Sequence, residues 1–293
     1  MDADGYCSQC GLRRPASRDH EEREIDSALA GVTDRGIRHH RNEDAQALAR
    51  RAEGGAVLVV CDGVSTTQRP DDASQAAADV ALATLLAAPA DADSTVLEAA
   101  TRTAISAAQD AVLAITFDRT LVSLGPPSCT IVTAVVRSGG VTVGWVGDSR
   151  AYRVHADGAV TALSVDHSWA AEEVAGGTMS ELEAQQDPRA HVITRWLGAD
   201  APKLDPPVVT AGLDAGDRVL LCSDGLWNYA DTPEALSKLI AQQTASAGAG
   251  DLARTLVTYA RDCGGHDNIT VAICDPLSPT ASSAPSAPPE ETA

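Results

Sequence analysis

Short apolar runs punctuate this chain, and the aspartates that begin or end them set its organisation. The clearest run is Ala56-Val57-Leu58-Val59-Val60, which predicts a strand buried on both faces and stops at Asp62-Gly63. Residues 218–222 repeat the device, ending at Ser223-Asp224-Gly225-Leu226-Trp227. A first strand is predicted at 27–33 and a last at 269–274, the latter entered through His266-Asp267-Asn268. Between them, residues 129–136, 141–146, 151–155 and 159–163 are separated by Ser138-Gly139-Gly140 and Asp157-Gly158, which predicts consecutive hairpins in an antiparallel meander. Within that meander Gly147-Asp148-Ser149-Arg150 reads as a tight turn leaving Asp148 at a sheet edge.

The period changes to helical in four places. Arg69-Pro70-Asp71-Asp72 is a helix-start signal, followed by Val80, Leu82, Leu85 and Leu86 and closed by Pro89. A second helix from near Ser94 places Leu97, Ala100, Ala104, Ala108 and Ile115 on one face. Two more are predicted at 232–241 and 251–263, the last with Leu252, Leu256 and Tyr259 inward and Gly264-Gly265 as its stop. Residues 166–200 carry short helical signals around Ala170 and Ser180 and a glycine pair, Gly176-Gly177, which predicts a mobile flap. The fold class is therefore α+β, two stacked antiparallel sheets flanked by helices, over residues 25–275. Residues 1–24, charged and proline-bearing, read as an arm; 276–293, rich in Ser, Pro, Ala and Thr, read as a disordered tail.

Charge narrows the partners. A formal net charge of −19 disfavours nucleic acid or an anionic membrane as the main one. No apolar run reaches the ~20 residues that span a bilayer and no leader pattern opens the sequence, so the cytoplasm is expected. Of the seven cysteines, Cys61, Cys129, Cys222 and Cys274 sit in apolar runs as small core residues. Cys7-Ser8-Gln9-Cys10-Gly11 is half of a zinc-ribbon pattern, with His20 as one further candidate ligand; a redox-inert arm without structural zinc is the favoured reading.

Asp62, Asp148, Asp224 and Asp267 would each pass alone for a turn residue. Together with Glu43 and Asp44 they are better explained as one acidic cluster, which must protonate or bind cations. The Asp62 carboxylate and the Gly63 carbonyl suit a hard divalent ion, and oxygen-only ligation selects Mg2+ or Mn2+ over zinc. Arg38-His39-His40-Arg41, just ahead of Asn42-Glu43-Asp44, is either a surface salt-bridge patch or an anion site beside the metal site.

Six motifs in register carry a resemblance. Thr33-Asp34-Arg35-Gly36 with Asn42-Glu43-Asp44, Asp62-Gly63, Gly147-Asp148-Ser149-Arg150, Asp166-His167-Ser168, Ser223-Asp224-Gly225-Leu226 and His266-Asp267-Asn268-Ile269-Thr270-Val271 resemble the protein phosphatase 2C family of metal-dependent serine/threonine phosphatases. The resemblance spans about residues 27–274 and implies a sandwich of two antiparallel sheets between helices. It implies that Asp62 bridges two ions, that the Gly63 carbonyl joins one, and that Asp224 and Asp267 hold the other. Glu43 and Asp44 match positions that act mainly through coordinated water, and Asp148 matches the ligand of a third, weaker ion of bacterial members. The implied reaction is hydrolysis of phosphoserine or phosphothreonine by a hydroxide bridging two ions of Mn2+ or Mg2+. Implied partners are phosphorylated proteins and the kinases they answer to, with a monomeric enzyme expected. The alternative is a catalytically weakened, phosphoprotein-binding module; a phosphatase of small molecules or of an anti-sigma-factor partner would share the core chemistry.

Two departures stand out. The phosphate-gripping arginine of the family falls at His39, flanked by Arg38 and Arg41, and an imidazolium lacks the guanidinium fork. Val64-Ser65 follows Asp62-Gly63, so the histidine that serves some members as general acid is missing and coordinated water is expected to protonate the leaving group instead.

Overall fold

The structure is a computed structural model and describes residues 9, 16–51, 55–242 and 247–275. Cys7, Cys10 and the 276–293 tail lie outside the described residues, and with them the zinc-ribbon reading. The elements in chain order are β1 (His20–Asp26), β2 (Leu29–Asp34), β3 (Ala45–Arg50), β4 (Ala56–Cys61), α1 (Pro70–Leu86) and α2 (Ser94–Leu113). Then come β5 (Ser128–Cys129), β6 (Ile131–Arg137), β7 (Gly140–Val146), β8 (Arg150–Val154), β9 (Val160–Ala162), α3 (Trp169–Ala175), α4 (Glu181–Gln186) and β10 (Leu197–Gly198). The chain closes with β11 (Val208–Gly212), β12 (Arg218–Cys222), α5 (Asp224–Trp227), α6 (Pro233–Ala241), α7 (Ala249–Asp262) and β13 (Ile269–Cys274).

Two antiparallel sheets stack face to face. One runs β1-β2-β13-β12-β8-β9, the other β11-β7-β6-β4-β3, and a two-stranded ribbon pairs β10 with β5. Side-chain alternation divides each central strand between two cores. In β4, Val57, Val59 and Cys61 pack with α1 and α2, while Leu58 and Val60 meet the opposite sheet. In β13, Ile269, Val271 and Ile273 face α5 to α7, and Ala272 and Cys274 face the other sheet. Both strands are buried throughout, which is why they read as apolar runs without a polar side.

Two sequence expectations are corrected. The expected arm ends earlier than residue 24, because β1 pairs with β2 from His20↔Asp34 onward and lies inside the sheet. Its charged residues gave no core signal, as expected for an edge strand whose burial alternates between exposed and half-buried. The meander is also not one sheet. β7 pairs with β6 and β11, whereas β8 pairs with β12 and β9, so Gly147-Asp148-Ser149 crosses from one sheet to the other. Asp148 thereby sits at the junction of both sheets rather than at the edge of one. Strands β3 and β11 are not among the predicted elements: β3 is rich in alanine, a poor strand former, whereas the Val208-Val209-Thr210 run of β11 was a signal left unread.

The same parity brings polar groups to one end of the inter-sheet space. Thr33, Thr270 and Ser223 continue the inward-facing rows of β2, β13 and β12, and Asp62 continues that of β4. Close backbone approach fixes this end: a Cβ on Gly225 would lie 1.9 Å from the Asn268 carbonyl oxygen. Gly225→Ala should therefore force α5 off the Asn268 loop and cost about 1–3 kcal/mol. A thermal melt should show this as a Tm loss of roughly 2–4 °C for each kcal/mol. An unchanged melt would contradict that packing.

Candidate active site

Three strand ends and one crossover converge. Asp62 follows β4, Asp224 follows β12 by way of Ser223, Asp267 precedes β13, and Asp148 lies on the passage from β7 to β8. β12 and β13 are antiparallel neighbours, with Cys222 opposite Val271, so the exit of one and the entry of the other lie side by side. The backbone of Asp62 is pinned by Thr130, whose N–H donates to the Asp62 carbonyl (2.8 Å) and whose hydroxyl accepts from the Asp62 N–H (3.3 Å). Gly63 is required sterically, because a Cβ there would come within 2.6 Å of the Pro70 carbonyl oxygen and 2.7 Å of that of Glu43.

Asp44 is the buried side of the cluster, 1% exposed. Its Oδ2 accepts from Ser223 Oγ and from Thr270 Oγ1, both at 2.7 Å. Thr270 is met in turn by Thr33 Oγ1 at 2.7 Å, and Thr33 accepts from Asn42 Nδ2 at 2.8 Å. An amide nitrogen only donates, so with Asp44 ionised the protons run one way, from Asn42 through Thr33 and Thr270 to the carboxylate. The other oxygen, Asp44 Oδ1, is buried with no hydrogen-bond partner, and so is Asp224 Oδ1. Buried carboxylate oxygens left unmet are costly and call for a cation or a proton.

The electrostatics agree. Burial pushes Asp62 well above the usual carboxylate range, reinforced by Asp44, Asp224, Asp267 and Asp148. Asp224 is raised well above it for the same reasons. Asp44 is pushed up to about 7 by burial, against the pull of its Thr270 and Ser223 hydrogen bonds. Burial also raises Asp148 to about 7, with Asp166 adding repulsion. Asp267 is raised by burial, and His39 works against the rise. Asp44, Asp224, Asp267 and Asp148 all add repulsion at Asp62, which makes Asp62 the centre of the group.

The donor set therefore fits hard divalent cations. Among the described residues no three acidic, imidazole or thiol groups close into a ready-made cage. Oxygen-only donors suit Mg2+ or Mn2+, ions that keep several of their own waters.

Of the basic residues, His39 and Arg41 reach the cluster. His39 Nε2 lies 3.1 Å from Asp267 Oδ1. Arg41 Nε donates to Glu43 Oε1 at 2.8 Å and its guanidinium stands 3.8 Å from Asp71. Arg38 is exposed, and no ion pair involves it among the described residues. Glu43 is held on its second oxygen by the Ser65 hydroxyl and at its backbone N–H by Asn268 Oδ1 (2.7 Å). Asn268 also donates to the carbonyls of Arg35 (2.8 Å) and Arg41 (3.1 Å), tying the basic loop to β13.

Asp148 has its own support. Trp227 Nε1 donates to the Asp148 carbonyl (2.9 Å), and the Arg150 guanidinium lies 3.8 Å over the Trp227 ring while its Nη2 binds Asp166 Oδ2 at 2.6 Å. His167 accepts the Gly147 N–H on Nδ1 (3.1 Å); burial, with the Arg195 charge nearby, lowers its pKa to about 4, which keeps the ring neutral. Sequence reasoning missed Arg18 altogether and assigned no role to Ser65, Ser223, Thr270, Asn268 or Trp227. For Ser223, Thr270 and Asn268 a signal existed, since each adjoins or follows closely a cluster aspartate and strand parity turns Ser223 and Thr270 inward.

Residues 35–259 match the family description "Protein phosphatase 2C". The chain is 30% identical over 247 residues to the serine/threonine phosphatase stp of Listeria innocua, covering 83% of this chain and 93% of that protein. Among solved structures, it resembles the serine/threonine phosphatase MsPP of Mycobacterium smegmatis in complex with cacodylate, at 32% identity and a TM-score of 0.63, covering 85% of this chain and 97% of that one. It also resembles the catalytic domain of the serine/threonine protein phosphatase PstP in complex with two manganese ions, at 27% identity and a TM-score of 0.65, covering 84% of this chain and 96% of that one. The chain belongs to the protein phosphatase 2C family and is a protein serine/threonine phosphatase.

Proposed function

We propose that Asp62, Asp224, Asp267 and the Gly63 carbonyl hold two Mn2+ or Mg2+ ions, with Asp148 available to a third, weaker one. The carrying observation is the pair of buried oxygens without a hydrogen-bond partner, Asp44 Oδ1 and Asp224 Oδ1, in the group of like charges that surrounds the Asp62 carboxyl. PstP with two manganese ions supports the same reading. When bound, such ions acidify nearby water and neutralise a phosphoryl group under attack.

The chain's own groups do the rest. Asp62 anchors the centre; Ser223 and Thr270 fix Asp44 and leave its Oδ1 free, while Arg41, Ser65 and Asn268 fix Glu43. His39 and Arg41 supply positive charge for the substrate phosphate at the mouth of the site, with Arg38 on the exposed rim. The His39 contact with Asp267 is exchangeable, because a protonated imidazole can donate to a phosphoryl oxygen as readily as to a carboxylate. With Val64-Ser65 in place of a histidine, no protein side chain is assigned as general acid for the leaving alkoxide. The substrates are proteins phosphorylated on serine or threonine, opposed to kinases of the same compartment. No helix of the described residues is long and apolar enough to cross a membrane, and a cytoplasmic monomer is the setting proposed.

Hydrolysis of a phosphothreonine peptide should require Mn2+ or Mg2+, stop with chelator, and fall by about a hundredfold or more in Asp62→Asn. Tight peptide binding without turnover at saturating Mn2+ would instead favour a phosphoprotein-binding module. His39→Ala should raise the peptide KM by about tenfold, the worth of one charge-assisted hydrogen bond, with kcat less affected. An unchanged KM removes His39 from phosphate binding.

Stability against pH follows from the raised carboxyls. Folded, metal-free protein keeps protons on Asp44 and Asp148 up to about pH 7, whereas the unfolded chain releases them near the ordinary aspartate value of 3.8. The folded state binds more protons in that window, so its stability falls as pH rises through it. Lowered carboxyls such as Asp26, paired with Arg50, act only below the window. In chelator, Tm should drop from about pH 5 to about pH 7.5, and added Mn2+ should restore it. Asp62→Asn should raise the metal-free Tm at the higher pH and lose the Mn2+ response; a Tm indifferent to both pH and Mn2+ would contradict the electrostatics.

A further inference from the structure

Arg18 lies ahead of the residues matched by the family, in the segment whose composition suggested an arm. Its guanidinium nevertheless sits behind the acidic cluster. Nε donates to the Asn42 carbonyl (3.0 Å), Nη1 to Gln75 Oε1 (3.1 Å), and Nη2 to the carbonyls of Asp44 (2.9 Å) and Asp71 (2.9 Å) and to Ser74 Oγ (3.2 Å). The carbonyl of Arg18 accepts from Asn42 Nδ2 (3.0 Å), so backbone and side chain grip the same loop. Asp19 steadies the segment: its carbonyl accepts the Arg35 N–H (2.8 Å) and its carboxylate accepts the Ala16 N–H (2.9 Å).

We propose that Arg18 is a positioning residue for the ion site, a brace that locks the Asn42-Glu43-Asp44 loop against the start of α1 and so sets the affinity for the divalent ions. This rests on the two-ion reading above. Both ends of the brace matter. On one side are the backbone carbonyls of Asn42 and Asp44, which bracket Glu43; on the other are Asp71, Ser74 and Gln75, the first turns of the helix whose Pro70 carbonyl presses on Gly63. One planar guanidinium thereby couples the loop carrying Asp44 to the helix backing Gly63. A planar fork of N–H donors on three nitrogens can span these acceptors at once, with the two Nη2 hydrogens shared among the Asp44, Asp71 and Ser74 oxygens, and a compact ammonium cannot.

Arg18 does its work through geometry rather than by neutralising charge. Its hydrogen bonds go to backbone carbonyls and neutral side chains, and it leaves Asp44 Oδ1 without a partner. A cation placed on the carboxylate itself would compete with the ions. One placed on the Asp44 carbonyl holds the residue still and leaves its carboxylate available.

The test uses full-length protein and Mn2+ alone as the probe, followed by titration calorimetry and by the Mn2+-induced rise in Tm. Arg18→Ala should weaken Mn2+ binding by about tenfold or more, the usual cost of losing a group that orients a ligand, and Arg18→Lys should fall between it and wild type. At saturating Mn2+ the KM for p-nitrophenyl phosphate should stay near the wild-type value. A merely structural residue would lower Tm equally with and without Mn2+, whereas the brace predicts a smaller Mn2+-induced rise. If Arg18→Ala does not fold, Arg18→Lys decides: weaker Mn2+ binding supports the brace and wild-type binding overturns it. Arg18→Ala that folds and binds Mn2+ as wild type does overturns this inference alone. Wild-type protein that takes up no Mn2+ overturns the two-ion reading, and the inference with it.

Discussion

Like charge gathered at the end of the space between two sheets is the constraint on which the rest of the structure depends. Asp44, Asp224, Asp267 and Asp148 all lie close enough to Asp62 to repel its charge. Carboxylates so placed cannot all ionise unaided. Much of the surrounding structure is arranged to keep them there: Thr130 on the Asp62 backbone, Ser223 and Thr270 on Asp44, Asn268 across the His39 loop, Trp227 behind Asp148. The fold tolerates this strain because both sheets are anchored by apolar cores on either face.

The sandwich makes the convergence possible. Strands of opposite sheets end at the same edge, so residues far apart in sequence meet without any long loop. Alternation then selects which of them point inward, giving Thr33, Thr270, Ser223 and Asp62 a common direction. Glycine acts at two contacts where no Cβ fits, Gly63 against Pro70 and Glu43, and Gly225 against Asn268. The chemistry is thus set on rigid strand ends, with the cationic residues His39 and Arg41 on the loop that faces them.

Much of this was legible in the sequence for a physical reason. A buried strand writes itself as an apolar run, and an acid at its end is a local mark, so Asp62, Asp224 and Asp267 were each visible as turn residues and became a cluster only when taken together. The central strands and the helices α1, α2, α6 and α7 were readable from period and caps. What could not be read depends on pairing rather than pattern. Two strands joined by Gly147-Asp148-Ser149 look alike whether they form a hairpin or enter different sheets. Edge strand β1 shows mostly charged residues because its backbone, not its side chains, holds it in place. Arg18 was invisible for the same reason, since three of its acceptors are main-chain carbonyls that have no sequence signature.

The central claim is that oxygen ligands from both sheets hold a pair of divalent ions around Asp62. Anomalous diffraction from a crystal soaked in Mn2+ tests it most directly. Two strong peaks are expected between Asp62 and the Asp224 and Asp267 carboxylates, one of them beside the Gly63 carbonyl. A difference map without peaks at that place, or with manganese only at the molecular surface, would contradict it.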